Sequence, residues 1–295
     1  MEFSPWGNHT PLNPLSRGEI DCPLHGRGAG VGQNTRKTEI KNSLNRVVKS
    51  LPFLIAIFTF TISAYAQDAT EIVRKAYEKM QGESSRVEMT MQIIRPSWER
   101  SVSMKAWSRG TDYSLILITA PARDEGSAYL KRENEIWNWL PDINRTIKMP
   151  PSMMSQSWLG SDFSNNDLVR EASIVVDYTH KLLGDSTLSG YESYQVELIP
   201  KPDAPVVWEK VITFITKDEY LQLRSEFYDE DGEMVRVMEG SEIKEMDDRL
   251  IPTRMEMIPL DKEEGHKTVI IYEKMEFNID ISQRFFSIQN MKRVE

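Results

Sequence analysis

Arg86-Val87-Glu88-Met89-Thr90-Met91-Gln92-Ile93 decides the fold. Val87, Met89, Met91 and Ile93 fall at every second position, with polar residues between them. Successive side chains of an extended chain point to opposite faces, so this period of two makes a strand with one buried and one solvated face. Val102, Met104 and Ala106 alternate with Ser101, Ser103 and Lys105 in the same way.

Upstream the period changes. Ile72, Val73, Ala76, Tyr77 and Met80 recur at helical spacing. Asp68-Ala69-Thr70-Glu71 supplies an N-cap and early acids, and Gly82 ends the helix. Downstream the alternation continues. Tyr113 to Ile118 is a third strand. Tyr129-Leu130 and Ile136 to Leu140 form a hairpin around Arg132-Glu133-Asn134, and Pro141-Asp142-Ile143-Asn144 turns the chain into Arg145 to Met149. After residue 171 strands resume around His180–Gly184, Tyr194–Leu198, Trp208–Thr216, Leu221–Phe227, Met234–Ile243, Ile251–Ile258 and Thr268–Phe277. About ten strands at such spacing predict one large antiparallel sheet, strongly curved or half-closed. No βαβ rhythm is present, which argues against a doubly wound fold.

Met149 to Glu171 interrupts the pattern. Pro150-Pro151 forbids a central strand. Met153, Met154, Trp158 and Leu159 could line one side of a short helix, and Asn165-Asn166-Asp167 could cap another turn. The segment reads as an insertion between two runs of strands.

The first 66 residues read differently again. Lys37, Lys41, Arg46 and Lys49 precede an almost unbroken apolar run, Leu51–Ile62, and then Ala64-Tyr65-Ala66. Basic region, short apolar core and small residues at the cleavage positions predict a secretory signal over residues 37–66, cut after Ala66. Residues 1–36 are rich in Gly, Pro and Asn without periodicity, and are expected to be disordered or an upstream extension from a misplaced start. Residues 67–295 then form a single domain beyond the inner membrane, in the periplasm. Residues 1–66 hold seven of the 36 Lys/Arg and four of the 45 Asp/Glu, so the net charge of −9 becomes −12 for the remainder. That balance argues against a nucleic-acid partner, which requires a basic face. Cys22, the single cysteine, falls in the removed part. Disulfides and thiolate chemistry are thereby excluded from the rest.

Catalytic signals are weak. His180 and His266 are far apart in sequence and not in a ligand spacing, so no metal site is expected. Neither a Gly-x-Ser-x-Gly elbow nor a glycine-rich phosphate loop occurs. Asp162 and Asp167 flank Phe163 but read as cap and turn residues. The positive signal is apolar: 14 Met and six Trp lie beyond residue 66. Met is flexible and polarizable, suited to an adaptable apolar surface or to ordinary core filling, and composition does not separate the two.

Several stretches carry a family resemblance: Trp137-Asn138-Trp139-Leu140-Pro141; Trp158-Leu159-Gly160-Ser161-Asp162-Phe163-Ser164-Asn165-Asn166-Asp167-Leu168; Leu250-Ile251-Pro252-Thr253-Arg254; and Phe285-Phe286-Ser287. With these, residues 67–295 resemble the outer-membrane lipoprotein-sorting proteins, the LolA/LolB-like periplasmic carriers, and within them a longer branch described as sorting proteins by similarity. The resemblance implies a mainly β (α+β) fold, a curved antiparallel sheet forming a half-open β-barrel with a short helical lid over a hydrophobic cavity. It implies a monomeric carrier, not an enzyme, without cofactor or metal. Such a carrier takes the acyl chains of a lipoprotein, or a free lipid, from an inner-membrane transporter towards an outer-membrane acceptor. The alternative is a non-catalytic periplasmic sensor or accessory subunit of an inner-membrane lipid exporter. The residues expected to line the cavity from the strands are Met89, Met91, Met104, Trp107, Trp139, Phe214, Met255 and Met257. Met149, Met153, Met154, Trp158, Leu159 and Phe163 are expected from the lid. Arg86, Arg95, Arg100 and Arg109 lie on or beside the early strands, but none sits in a motif that marks it as the arginine locking the lid.

Overall fold

The computed structural model describes residues 68–165, 167, 174–202, 204 and 208–294. The expected extension and signal segment, residues 1–66, lie outside them.

Helix α1 spans Ala69–Gln81. The Asp68 carboxylate accepts from the Thr70 N–H at 3.0 Å, satisfying one of the amide groups that a helix start leaves unpaired. At the other end Gly82 takes φ +64, and Arg249 donates to the carbonyls of Glu78 and Lys79 at 2.9 and 3.2 Å. The buried stripe Ala69, Ile72, Val73 and Ala76 packs on Tyr194, Val196, Leu198, Val211 and Ile215 of the sheet.

Thirteen strands follow, against about ten expected. They are β1 (Ser84–Arg95), β2 (Trp98–Arg109), β3 (Tyr113–Ala120), β4 (Ala128–Arg132), β5 (Glu135–Leu140), β6 (Arg145–Lys148), β7 (Tyr178–Leu188), β8 (Tyr191–Pro200), β9 (Lys210–Thr216), β10 (Gln222–Tyr228), β11 (Met234–Met246), β12 (Arg249–Pro259) and β13 (Lys267–Phe277). All thirteen join one antiparallel sheet in the order β6-β5-β4-β3-β2-β1-β13-β12-β11-β10-β9-β8-β7. Two meanders, β1–β6 and β7–β13, are thus sealed along the β1–β13 pair. The sheet is open, with β6 at one edge and β7 at the other.

Register fixes which side chains share a face. Met257 lies opposite Thr268, Met255 opposite Ile270, Ile270 opposite Met91, and Met91 opposite Val102. Further along, Val87, Ala106, Ile116, Tyr129, Asn138 and Ile147 form one cross-strand row. This inner face also receives α1 at the β7–β9 end. On the outer face of β2–β5, Trp107, Leu115, Leu117, Leu130 and Trp139 are covered by the chain after β13, through Ile281, Phe286 and Met291 of the short helix α2 (Ile288–Met291).

Candidate functional site

The connection from β6 to β7 starts and ends at opposite edges of the thirteen-stranded sheet, and its described loop, Trp158 to Phe163, lies on the inner face. Pro151–Met153 form one turn of 3-10 helix, and helical backbone begins again at Asn165. Between them runs a tight loop. The Trp158 N–H donates to the Phe163 carbonyl at 2.7 Å, and Ser161 Oγ donates to the Trp158 carbonyl at 2.7 Å. Leu159 and Gly160 take φ +53 and +80 to reverse the chain. The Asp167 carboxylate accepts from the Ser164 N–H at 2.7 Å, while Ser164 Oγ accepts from the Asp167 N–H at 3.2 Å. This is the reciprocal pairing of a capping box with Ser164 as the cap; Asp167 of the expected Asn165–Asp167 cap takes part in it, while Asn165 already has helical backbone.

The loop turns Trp158 onto the sheet. Its ring is 3% exposed and packs with Met91, Ile93, Val102, Met104, Ile116, Ile118 and Tyr129, with Met89, Leu159, Phe163 and Ile270 at the margin. The Tyr129 and Trp158 rings meet edge-on, centroids 5.7 Å apart. Burial pushes the Tyr129 hydroxyl above its usual pKa of 10.0, opposed by the nearby Trp158 side chain.

Ionic fastenings hold the loop, and the sequence did not reveal them. Arg95, at the end of β1, makes a two-pronged contact with Asp162: Nη1 to Oδ2 at 3.1 Å and Nη2 to Oδ1 at 3.2 Å. Both side chains are buried, 11% and 8% exposed. Arg95 also donates to the carbonyls of Ile94, Gly160 and Lys267. Asp162 accepts in addition from Thr268 Oγ1 at 2.6 Å and meets His266 Nε2 at 2.8 Å. Further along, Arg236 donates to the Asp162 carbonyl at 3.1 Å and to Asp167 Oδ1 at 3.2 Å. Its guanidinium lies 4.0 Å from the Trp208 ring centroid and 4.7 Å from that of Phe227. Arg100 reaches the Leu159 carbonyl at 3.4 Å and pairs with Asp124. Asp162 and His266, read from sequence as turn and strand-end residues, thus belong to one buried cluster. Their partners are distant in sequence, and only the β1–β13 pairing brings them together.

At the far end of the crossing, His180 on β7 ties three elements. Its Nε2 lies 2.9 Å from the Ile174 carbonyl and its Nδ1 3.2 Å from Thr70 Oγ1 at the start of α1. Burial holds this imidazole below its ordinary 6.5, opposed by the Ile174 carbonyl.

The expected lining residues divide into groups. Met89, Met91, Met104, Trp158, Leu159 and Phe163 meet in one cluster, and Met255 and Met257 continue the same face across β13 to β12. Met149, Met153 and Met154 are half-buried on the crossing segment, outside that cluster. Three positions are corrected. Trp107 is out of phase with Val102, Met104 and Ala106, and it lies with Trp139 on the outer face under Phe286. Phe214 falls between Thr213 and Ile215 and shares its face with Gln195 and Arg224.

The inner face is filled. Met91, Ile93, Val102, Met104 and Trp158 are all buried against one another, so the protein's own side chains occupy the space under the crossing segment. Two open grooves of about 710 and 570 Å³ lie at the other end of the strands. Their walls include Arg74, Glu78, Glu83, Arg249, Asp112 and Asn278, and none of the expected lining residues. Among the described residues there is no cluster of three or more His, Cys, Asp or Glu able to hold a metal. No described helix is long and apolar enough to cross a membrane.

An open, curved antiparallel sheet with a strapped apolar inner face defines the LolA-like half-barrel class, and solved structures share this fold. A DUF1329 family protein from Desulfovibrio piger superposes with a TM-score of 0.69 at 23% identity, covering 76% of this chain and 100% of that one. A domain from Vibrio parahaemolyticus, ascribed by its description to outer membrane lipoprotein sorting, gives 0.66 at 21% identity, covering 76% and 98%. A LolA superfamily protein from Nitrosomonas europaea gives 0.65 at 24% identity, covering 76% and 99%. Among curated proteins no sequence matches. A family model whose description reads "-like: Uncharacterized protein" matches residues 110–293, more than half of the chain, and the chain belongs to that family.

Proposed function

We propose that this protein is a periplasmic carrier that binds the acyl chains of a lipoprotein or lipid on its inner face and moves them towards the outer membrane, without catalysis. The observation that carries the reading is a continuous apolar surface closed by a segment fastened through charges. Apolar burial supplies affinity without direction, about 0.8 kcal/mol per CH₂, so a carrier needs a cover that opens. Ion pairs suit that task, because they add little net stability yet fix one arrangement. Arg95, His266 and Thr268 engage Asp162 as a structural anchor.

The test is mass spectrometry of lipid co-purifying with residues 67–295 produced in the periplasm, native and after solvent extraction, followed by transfer of an acyl probe between vesicles. A stoichiometric lipid together with transfer supports the carrier. A lipid-free protein that takes up no acyl probe refutes it, and leaves the sensor or accessory-subunit reading, in which the filled inner face is simply core.

A further inference from the structure

The large apolar side chains left open to water are unevenly placed. Of ten among the described residues, six lie at the end of the sheet where β1 finishes: Trp98, Ile143, Val176, Ile199, Met234 and Leu260. Tyr191 and Leu250 lie at the opposite end. Three of the six belong to one connected stretch of rim. Met234 opens β11 and Leu260 follows β12, and the Leu260 N–H donates to the Val235 carbonyl at 2.8 Å. Lys267 opens the next strand, β13, and its carbonyl accepts from Arg95 at 3.0 Å. The Arg95 guanidinium in turn lies 5.7 Å from the Trp98 ring centroid. Trp98 is 49% exposed and Leu260 46%. Single exposed apolar residues are ordinary, but side chains grouped in this way mark a contact surface.

The turns beside this stretch carry one sign of charge. Asp229-Glu230-Asp231-Gly232-Glu233 joins β10 to β11, and Asp261-Lys262-Glu263-Glu264-Gly265 joins β12 to β13. Together they hold seven carboxylates against one Lys, and Lys262 is already paired with Asp261 at 2.6 Å. Met234 adjoins the first turn and Leu260 the second. We propose that this end of the sheet docks a protein partner whose face has an apolar centre and a basic rim. The charge selects the occupant. An anionic lipid surface is repelled by the acidic turns. A second copy of this chain brings the same turns and is repelled likewise. A basic protein face is attracted, and its encounter is steered. The inference goes beyond the carrier reading and does not depend on it, since an accessory subunit also needs a partner. The place is informative too. His266 directly follows the second turn and, with Arg95, holds Asp162. A partner seated here borders the fastening of the crossing segment.

The experiment places a photo-crosslinking residue in the full chain, in its own cells, in place of Trp98, Met234 or Leu260, and in place of Leu250 at the opposite end of β12 as the control. The three rim positions should give adducts with one and the same protein, and the control none. That protein, identified by mass spectrometry and purified, should bind the chain with a Kd that rises with salt. Leu260→Ser should weaken binding about tenfold, as expected for an apolar anchor. Glu230→Gln combined with Glu264→Gln should weaken it about three- to tenfold, as expected for two exposed charge pairs. Leu250→Ser and Glu245→Gln, on the same two strands at the far end, should leave it unchanged. Adducts with lipid alone overturn the inference in favour of a membrane surface, and adducts of the chain with itself in favour of a dimer. No adduct from the rim, equal adducts from the control, or binding indifferent to salt also overturns it. None of these outcomes touches lipid co-purification, so the carrier reading stands or fails separately.

Discussion

Asp162→Asn isolates the charge on the fastening, because it keeps the volume of the side chain. The carboxylate receives two contacts from Arg95, one from Thr268 and one from His266. Removing one partner of a buried pair costs about 3–5 kcal/mol, chiefly because the other charge is left behind. Arg95 keeps three backbone carbonyls in the variant, so the low end applies, about 3 kcal/mol. If the cost falls on closure of the segment, the ratio of closed to open forms drops by about two orders of magnitude, at tenfold per 1.4 kcal/mol. The Trp158 ring opposes opening with a burial worth about 2–3 kcal/mol, and the Arg236–Asp167 pair remains, so the closed form stays populated. Amide hydrogen exchange measures the change directly. The Trp158, Ser161 and Asn165 amides bond within the segment, and the Asp162 amide donates to Thr268 Oγ1 on β13 at 3.0 Å. These should exchange about a hundredfold faster in the variant, while β1 and β13 amides change little. Unchanged exchange over residues 157–165, or equal acceleration in β1 and β13, would refute a separable strap.

Trp158→Ala should vacate the inner face, lower stability by up to the ~3–5 kcal/mol typical of buried Trp truncations, and create a site for benzene that calorimetry detects. Phe286→Ala should cost a similar ~3–5 kcal/mol in urea unfolding, yet leave strap exchange unchanged, since it packs on the other face. Lowering the pH from 7 towards 5 should destabilise the fold through His180. Its folded pKa is depressed, so the unfolded chain takes up the proton first, and stability present above about 6.5 is lost below it. His180→Gln should flatten that part of the pH profile of urea midpoints. Gly82→Ala should lower the thermal midpoint, because φ is +64 and the new Cβ would sit 3.0 Å from Asn278 Oδ1, a strain of about 1 kcal/mol or more.

Local periodicity made the strands and α1 legible. Val87 to Ile93 and Val102 to Ala106 show their phase in sequence, and the Asp68 and Gly82 caps bound the helix where expected. The crossing segment was visible as a break in the alternation, but its route was not. That route starts and ends at β6 and β7, which are opposite edges as a consequence of pairing β1 with β13. The same long-range pairing hid the site's charges, for Arg95, Asp162 and His266 look like unrelated surface residues until β13 lies beside β1. Trp107 and Trp139 misled because the outer face is expected to be polar. Here it is apolar where the chain ending in Phe285 and Phe286 folds back over it.

The β1–β13 seam also dictates when folding can finish. It pairs Ser85 with Phe277, about 190 residues apart, so the centre of the sheet is its least local contact. Until the last strand arrives, β1 and β12 are bare central edges twelve and eleven residues long, prone to pair with other chains. A chain delivered N-terminus first holds its first meander unsealed until Phe277 emerges. The last strand to be made is therefore the one that closes the middle of the sheet.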